Sequence, residues 1–255
     1  MNSIDPTRLN LVVPAPEVTA LSVAGETSAF PVGRVFCIGR NYRWSVDEPL
    51  IRQEMPSWFM KPANAVVPAR GILPYPKETN DLCHEVELVV AIGCGGESID
   101  PALVEGQHIW GYAVGLDLTR RDLQQLAKRS GAPWEPSKAF DSSAPCSALV
   151  PAKTCGHPRN GAIWLNVNGA QRQCADLAGL IWPVSELVAM LSRSVLLRAG
   201  DLIFTGTPAG VGPLQPGDFI EAGITGIGEF NMTVGPRSSD TPQQVTLPAG
   251  QGALQ

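Results

Sequence analysis

The stretch from Asp81 to Ile92, D-L-C-H-E-V-E-L-V-V-A-I, constrains this chain more than any other. β-Branched and aliphatic residues crowd it from His84 onward, so it reads as a strand, and side chains two apart on a strand point the same way. Glu85 and Glu87 therefore share a face, while Val86, Leu88, Val90 and Ile92 on the other face lock the register against a core. Two like charges so placed repel unless solvent separates them or a cation joins them. Taken alone, the pair has two readings. It is a solvated strand face with two surface acids, or it supplies oxygen ligands to a hard divalent ion such as Mg2+, with Mn2+ or Ca2+ as substitutes.

Other residue types narrow the chemistry. Cys37, Cys83, Cys94, Cys146, Cys155 and Cys174 are scattered without C-x-x-C spacing, which reads as reduced thiols, and His84, His108 and His157 form no pair at zinc-ligand spacing. A formal net charge of -5 leaves no basic surplus for phosphates, so nucleic acid and anionic membranes are set aside as partners. No apolar run reaches the ~18 residues of a membrane span, and the first residues lack the pattern of a signal peptide, so the expected compartment is the cytoplasm. With 26 glycines and 23 prolines, the 255-residue chain is expected to have many turns, hence short strands rather than long helices.

Along the chain, residues 1–30 read as a lead-in or cap with a possible hairpin at Gly25, and 31–234 as the main domain. The Pro-, Ser-, Gln- and Gly-rich segment 235–255 reads as a disordered tail. Arg34 to Ile38 is a buried strand that runs into Arg40, Asn41 and Tyr42, and Arg43 to Pro56 is a loop or short helix that could form a lid. Short strands ending at Lys61 and Pro68 follow. In Ile109 to Leu118, Asp117 falls on a face with Ala113 and Gly115, where small neighbours leave room beside a carboxylate. It is a third oxygen ligand beside Glu85 and Glu87, or a cap on the next helix. That helix is expected over Thr119 to Ser130, with Arg121 and Gln124 on one face. Lys138 would ordinarily be a solvated charge before a strand from Cys146 to Val150. Ile163 to Cys174 is a hairpin that reads as scaffold, turning at Asn168-Gly169, and Val184 to Leu191 has helical spacing. The glycine-rich turn after Leu202-Ile203-Phe204 exposes backbone N–H groups able to hold a carboxylate or phosphate, without the Gly-Lys-Ser/Thr of a nucleotide loop.

Seven motifs then occur in order: GRNY (39–42), FMKP (59–62), HEVEL (84–88), GLDLTRRDLQ (115–124), SKAFD (137–141), VNGAQRQ (167–173) and GDLIFTGTPAGVG (200–212). Together they resemble the fumarylacetoacetate hydrolase superfamily over roughly 31–234, and within it the acylpyruvate hydrolases called fumarylpyruvate hydrolases. The resemblance implies a β-rich α+β fold, a roll of mixed β-sheets with few short helices, together with a homodimer and one Mg2+ on Glu85, Glu87 and Asp117. It implies that Lys138, Arg121 and Gln124 line the substrate, that Gly206 and Thr207 hold its carboxylate, and that Arg40 and Lys61 assist. Related hydrolases carry a water-activating His and Glu on a closing lid; here the Glu position is Glu48 and the His position is Ser45, a far weaker base. The expected activity is Mg2+-dependent hydrolysis of an acylpyruvate to pyruvate and an acid such as fumarate, in aromatic-compound catabolism. Ser45 keeps two others open: tautomerisation, decarboxylation or isomerisation of an oxaloacetate-like 2-oxo acid, or metal or ligand binding without turnover.

Overall fold

The computed structural model describes residues 11–43 and 56–237. Its centre is the strand Val86–Ile92, buried along its whole length. Val86, Leu88, Val90 and Ile92 pack into one core, and Val89 and Ala91 into a second core on the opposite face, so the strand is sandwiched rather than half-solvated. It lies in the middle of an eight-stranded mixed sheet. The order is Trp58–Lys61, Val35–Ile38, Leu202–Phe204, Val86–Ile92, Ile109–Leu116, Ala144–Cys146 and Val66–Pro68, with Val150–Pro151 also pairing with Ile109–Leu116. Leu202–Phe204 is parallel to Val35–Ile38, and Ala144–Cys146 to Val66–Pro68; the other contacts along that order are antiparallel.

A five-stranded sheet, in the order Ala170–Asp176, Ala162–Val167, Phe219–Ile224, Gly228–Arg237 and Ile72–Tyr75, covers one face. Ile163, Leu165, Val167, Ile220 and Ala222 share the first core with the even-numbered residues of the central strand. The hairpin expected near Gly25 is present as strands Ala20–Ser22 and Ala29–Pro31, and its Leu21, Val23 and Phe30 enter the second core. The final strand runs to Arg237, past the expected end at Val234, and the rest of the expected tail lies outside the described residues. Helices among the described residues are few and short, the longest being Arg121–Ser130 and Val184–Ser194. Among the described residues no helix is long and apolar enough to cross a membrane.

Three local readings need correction, each because pairing overrides propensity. The stretch around Glu85 is two strands, Leu82–His84 and Val86–Ile92, because Leu82–His84 leaves the large sheet to lie between Thr119–Arg120 and Gly212–Leu214. Thr119 and Arg120 are thereby held extended, and the helix starts at Arg121 and ends at Gly131, whose φ is 70°. The strand expected from Cys146 to Val150 is broken, because the Ser147 hydroxyl accepts from Val114 N–H (3.0 Å) and its own N–H donates to Val114 O (2.9 Å), leaving Ala144–Cys146 and Val150–Pro151 as separate pieces.

Candidate active site

Glu85 sits at the corner between its two strands, Glu87 is the second residue of Val86–Ile92, and Asp117 directly follows Leu116, the last residue of the neighbouring strand. The register Glu87–Gly115 and Val86–Leu116, together with the bond from Asp117 N–H to Glu85 O (2.9 Å), brings the three together. Each offers a carboxylate oxygen within 4.8 Å of the others. All three residues are buried, Glu85 the least deeply. Gly115 serves a different end from the one its size suggested. A Cβ there would meet Val89 Cγ2 at 2.6 Å and Phe204 Cε1 at 2.7 Å, so the missing side chain admits core residues rather than an ion.

Lys138 is not a solvated charge. Its Nζ lies 2.9 Å from Glu85 Oε2 and 2.8 Å from Asp117 Oδ2, and the residue is 2% exposed. The short helix Glu135–Lys138 delivers it from outside the sheet. Lys61, at the end of the edge strand Trp58–Lys61, reaches Asp117 Oδ1 at 2.9 Å and donates to Leu118 O (3.2 Å) and Lys138 O. Two phenyl rings cross between the motifs: Lys138 Nζ is 5.1 Å from the Phe59 ring centroid, and Lys61 Nζ is 5.5 Å from that of Phe140. F-x-K in one motif and K-x-F in the other are the sequence signal for this arrangement, and it is legible only once the two are known to face each other.

Charge balance explains the protonation of the cluster. Burial alone would push Asp117 up, but the ammonium groups of Lys138 and Lys61 outweigh it and hold its carboxyl below the ordinary range. Burial would likewise lower Lys138, but Asp117 and Glu85 outweigh it and raise its pKa. Glu87 is pushed well above the usual carboxylate range, first by burial and then by the Asp117 and Glu85 charges, although Gly206 N–H donates to its Oε2 at 2.7 Å. Asp117 is thus held ionised, while Glu87 is the acid driven to hold a proton.

The donor set suits a hard divalent ion: three carboxylates and no sulfur or imidazole. Oxygens around one such ion at ~2.0 to 2.1 Å lie roughly 3 to 4 Å apart, so the triad fits with a small inward movement.

Arg121 stands at the rim, its Nη1 4.0 Å from Glu85 Oε1 and donating to Gln124 Oε1 (2.8 Å). Gln124 is buried and its Oε1 also receives Lys128 Nζ at 3.4 Å. Thr207 Oγ1 donates to Val86 O (2.9 Å), so the first polar groups of the Gly206-Thr207 turn are already engaged with the glutamate strand. Arg40 is exposed at the end of the strand Val35–Ile38, with φ 57°, and adds to the positive field on Lys128. Ser45 and Glu48 lie outside the described residues. Two contributors were not anticipated: Thr119 Oγ1, which donates to Glu85 Oε1 at 3.2 Å, and Asn41, whose buried amide donates to Thr205 O (2.8 Å) and Trp182 O (3.1 Å) and ties the GRNY segment to the glycine-rich turn.

The profile of the fumarylacetoacetate (FAA) hydrolase C-terminal domain matches residues 34–235, which span every group in this cluster. The chain belongs to the fumarylacetoacetate hydrolase family. Among solved structures of the family, a Burkholderia cenocepacia protein provisionally assigned as a fumarylpyruvate hydrolase is 55% identical, with a TM-score of 0.85 over 89% of this chain and 99% of its own. The fumarylpyruvate hydrolase of Pseudomonas aeruginosa, solved in complex with Mn2+ and pyruvate, is 46% identical, with a TM-score of 0.84 over 89% of this chain and 99% of its own. An oxaloacetate tautomerase of Escherichia coli (strain K12) is 43% identical over 191 residues, 74% of this chain and 87% of its own. The family thus contains enzymes of both reaction types at similar distance from this chain.

Proposed function

We propose that the protein is a divalent-metal-dependent hydrolase of an acylpyruvate such as fumarylpyruvate, releasing pyruvate and a carboxylic acid. The observation that carries the proposal is the buried cluster in which Lys138 bridges Glu85 and Asp117 beside Glu87. Glu85, Glu87 and Asp117 would hold the ion, Mg2+ or Mn2+, whose chemistry is that of a Lewis acid polarising the ketone of a 2-oxo acid. Lys138 then holds a buried ammonium, fixed on two sides, where negative charge develops as the C–C bond breaks and the pyruvate enolate departs. Lys61 keeps Asp117 ionised and in place. Arg121 at the rim and the buried Gln124 bind the substrate, with Arg40 orienting its carboxylate, while the Gly206-Thr207 turn, whose Gly206 N–H and Thr207 hydroxyl already donate to Glu87 and Val86, holds the glutamate strand in place. Glu48 takes a proton from the attacking water. The same reading carries a small 2-oxo acid as partner and a homodimeric assembly from the family resemblance.

A second reading, tautomerisation of an oxaloacetate-like acid, is favoured by Ser45. Enolisation needs the ion and Lys138 but no activated water, whereas hydrolysis needs a base that typically contributes ~100-fold to 10,000-fold. Without the histidine, Glu48 works alone, and exchange of the C3 hydrogens is expected to outrun C–C cleavage. The measurement is the ratio of deuterium incorporated at C3 to pyruvate released, in the parent and in Ser45→His. Hydrolysis predicts cleavage of fumarylpyruvate by the parent and a selective rise in cleavage with the histidine. Rapid exchange on oxaloacetate with no cleavage of acylpyruvates in either protein would replace hydrolysis by tautomerisation.

A further inference from the structure

The strand Leu202–Phe204 ends before its neighbour does. Phe204 pairs with Val89, and Thr205 donates through both N–H and Oγ1 to Leu88 O (3.0 Å each). The chain then turns away, and the backbone of Val86 is satisfied by side chains instead. Its N–H donates to Gln173 Oε1 (3.1 Å) and its carbonyl accepts from Thr207 Oγ1 (2.9 Å). Gln173 Nε2 in turn donates to Thr207 Oγ1 (2.8 Å) and to Pro208 O (2.9 Å), and His84 Nδ1 lies 2.9 Å from Gln173 Oε1.

Gln173 is 1% exposed, and both its amide oxygen and its amide nitrogen are engaged twice. Turning the amide round would set donor against donor at Val86 N–H, so its orientation is fixed, and His84 carries its proton on Nδ1. The residue projects from the strand Ala170–Asp176 of the five-stranded sheet, where the hairpin reads from sequence as scaffold alone.

We propose that Gln173 is a positioning residue for the carboxylate cluster. It clamps the one residue between Glu85 and Glu87, and through Thr207 it fixes the turn whose Gly206 N–H meets Glu87 Oε2. The spacing of two ligands is thereby set from a different sheet. The inference rests on the metal reading given above, since the ligands are what it positions.

The test uses the full chain with Gln173→Met, similar in length but without donor or strong acceptor, and Gln171→Met on the exposed side of the same strand as control. Mn2+ affinity is measured by calorimetry, and exchange of the Gly206 amide is followed in metal-free protein. Gln173→Met, which removes a group one step behind the ligands, is expected to weaken Mn2+ binding by about 10-fold, the lower end of what loss of a ligand's direct partner costs, and to speed Gly206 exchange, while Gln171→Met matches the parent. Parent-like Mn2+ affinity in Gln173→Met overturns the inference and leaves the metal reading intact. Failure of the parent itself to bind Mn2+ overturns the metal reading, and Gly206 exchange then decides the clamp alone, unchanged exchange refuting it. Should Gln173→Met not fold, Gln173→Glu keeps the oxygen facing Val86 N–H, loses the donors to Thr207 and Pro208, and is expected to shift both readouts the same way.

Discussion

Replacing Lys138 by Met is expected to lower turnover by about 100-fold to 1,000-fold at saturating metal, the effect of removing one well-aimed donor from developing negative charge. The same change has a second consequence that its burial makes unavoidable. Glu85 and Asp117 lose the ammonium lying 2.9 and 2.8 Å from them, and two acids are left facing each other, with Lys61 at Asp117 alone. Breaking a buried pair in this way typically costs ~3 to 5 kcal/mol. The metal-free variant should therefore melt well below the parent, and a divalent ion, by neutralising the same carboxylates, should recover much of the difference. Thermal melts with and without Mn2+, set beside turnover at saturating Mn2+, separate the two effects. Parent-like turnover in a folded, metal-loaded variant would remove Lys138 from the reaction.

Replacing Glu87 by Gln is the second large change, and it is a clean one because the amide oxygen can still accept from Gly206 N–H. It deletes one anionic ligand, so Mn2+ affinity should fall by at least the ~10-fold to 100-fold that loss of an outer partner costs. The raised pKa of Glu87 gives this substitution a signature in proton release. A metal must displace the proton that burial and the neighbouring carboxylates keep on Glu87, so binding to the parent releases it and tightens as pH rises. Below the raised pKa the affinity should drop about tenfold per pH unit, and above it the dependence on this group should vanish. Gln carries no such proton. Calorimetry in buffers of different ionisation enthalpy should find release in the parent that is missing in Glu87→Gln, and equal release in both would place the titrating group elsewhere.

How much of this was legible from sequence follows from what each signal encodes. Alternation in Val86 to Ile92 reveals the strand and the face of Glu87, because side-chain direction is a local property. It does not reveal that Val89 and Ala91 are equally buried, which depends on the second core built partly by Leu21, Val23 and Phe30. The sequence puts Glu85, Glu87 and Asp117 on two strand-like stretches but does not show the break at Glu85, because that break arises where Leu82–His84 departs to pair with Thr119–Arg120 and Gly212–Leu214. Lysines carry no periodic signal at all. Lys61 and Lys138 are 77 positions apart, and nothing local says that both end on Asp117. Gln173 was hidden for the same reason: its partners are Val86, His84, Thr207 and Pro208, contributed by two distant segments.

The most direct measurement is pyruvate release from fumarylpyruvate by the full chain, stripped of metal with a chelator and then reloaded with Mg2+ or Mn2+, with Asp117→Asn alongside. No release from the stripped protein, recovery with either ion, and little recovery in Asp117→Asn are the predicted results. Release that survives stripping, or a reloaded parent that binds Mn2+ yet turns over neither fumarylpyruvate, acetylpyruvate nor oxaloacetate, would contradict a metal-dependent 2-oxo acid enzyme built on Glu85, Glu87 and Asp117.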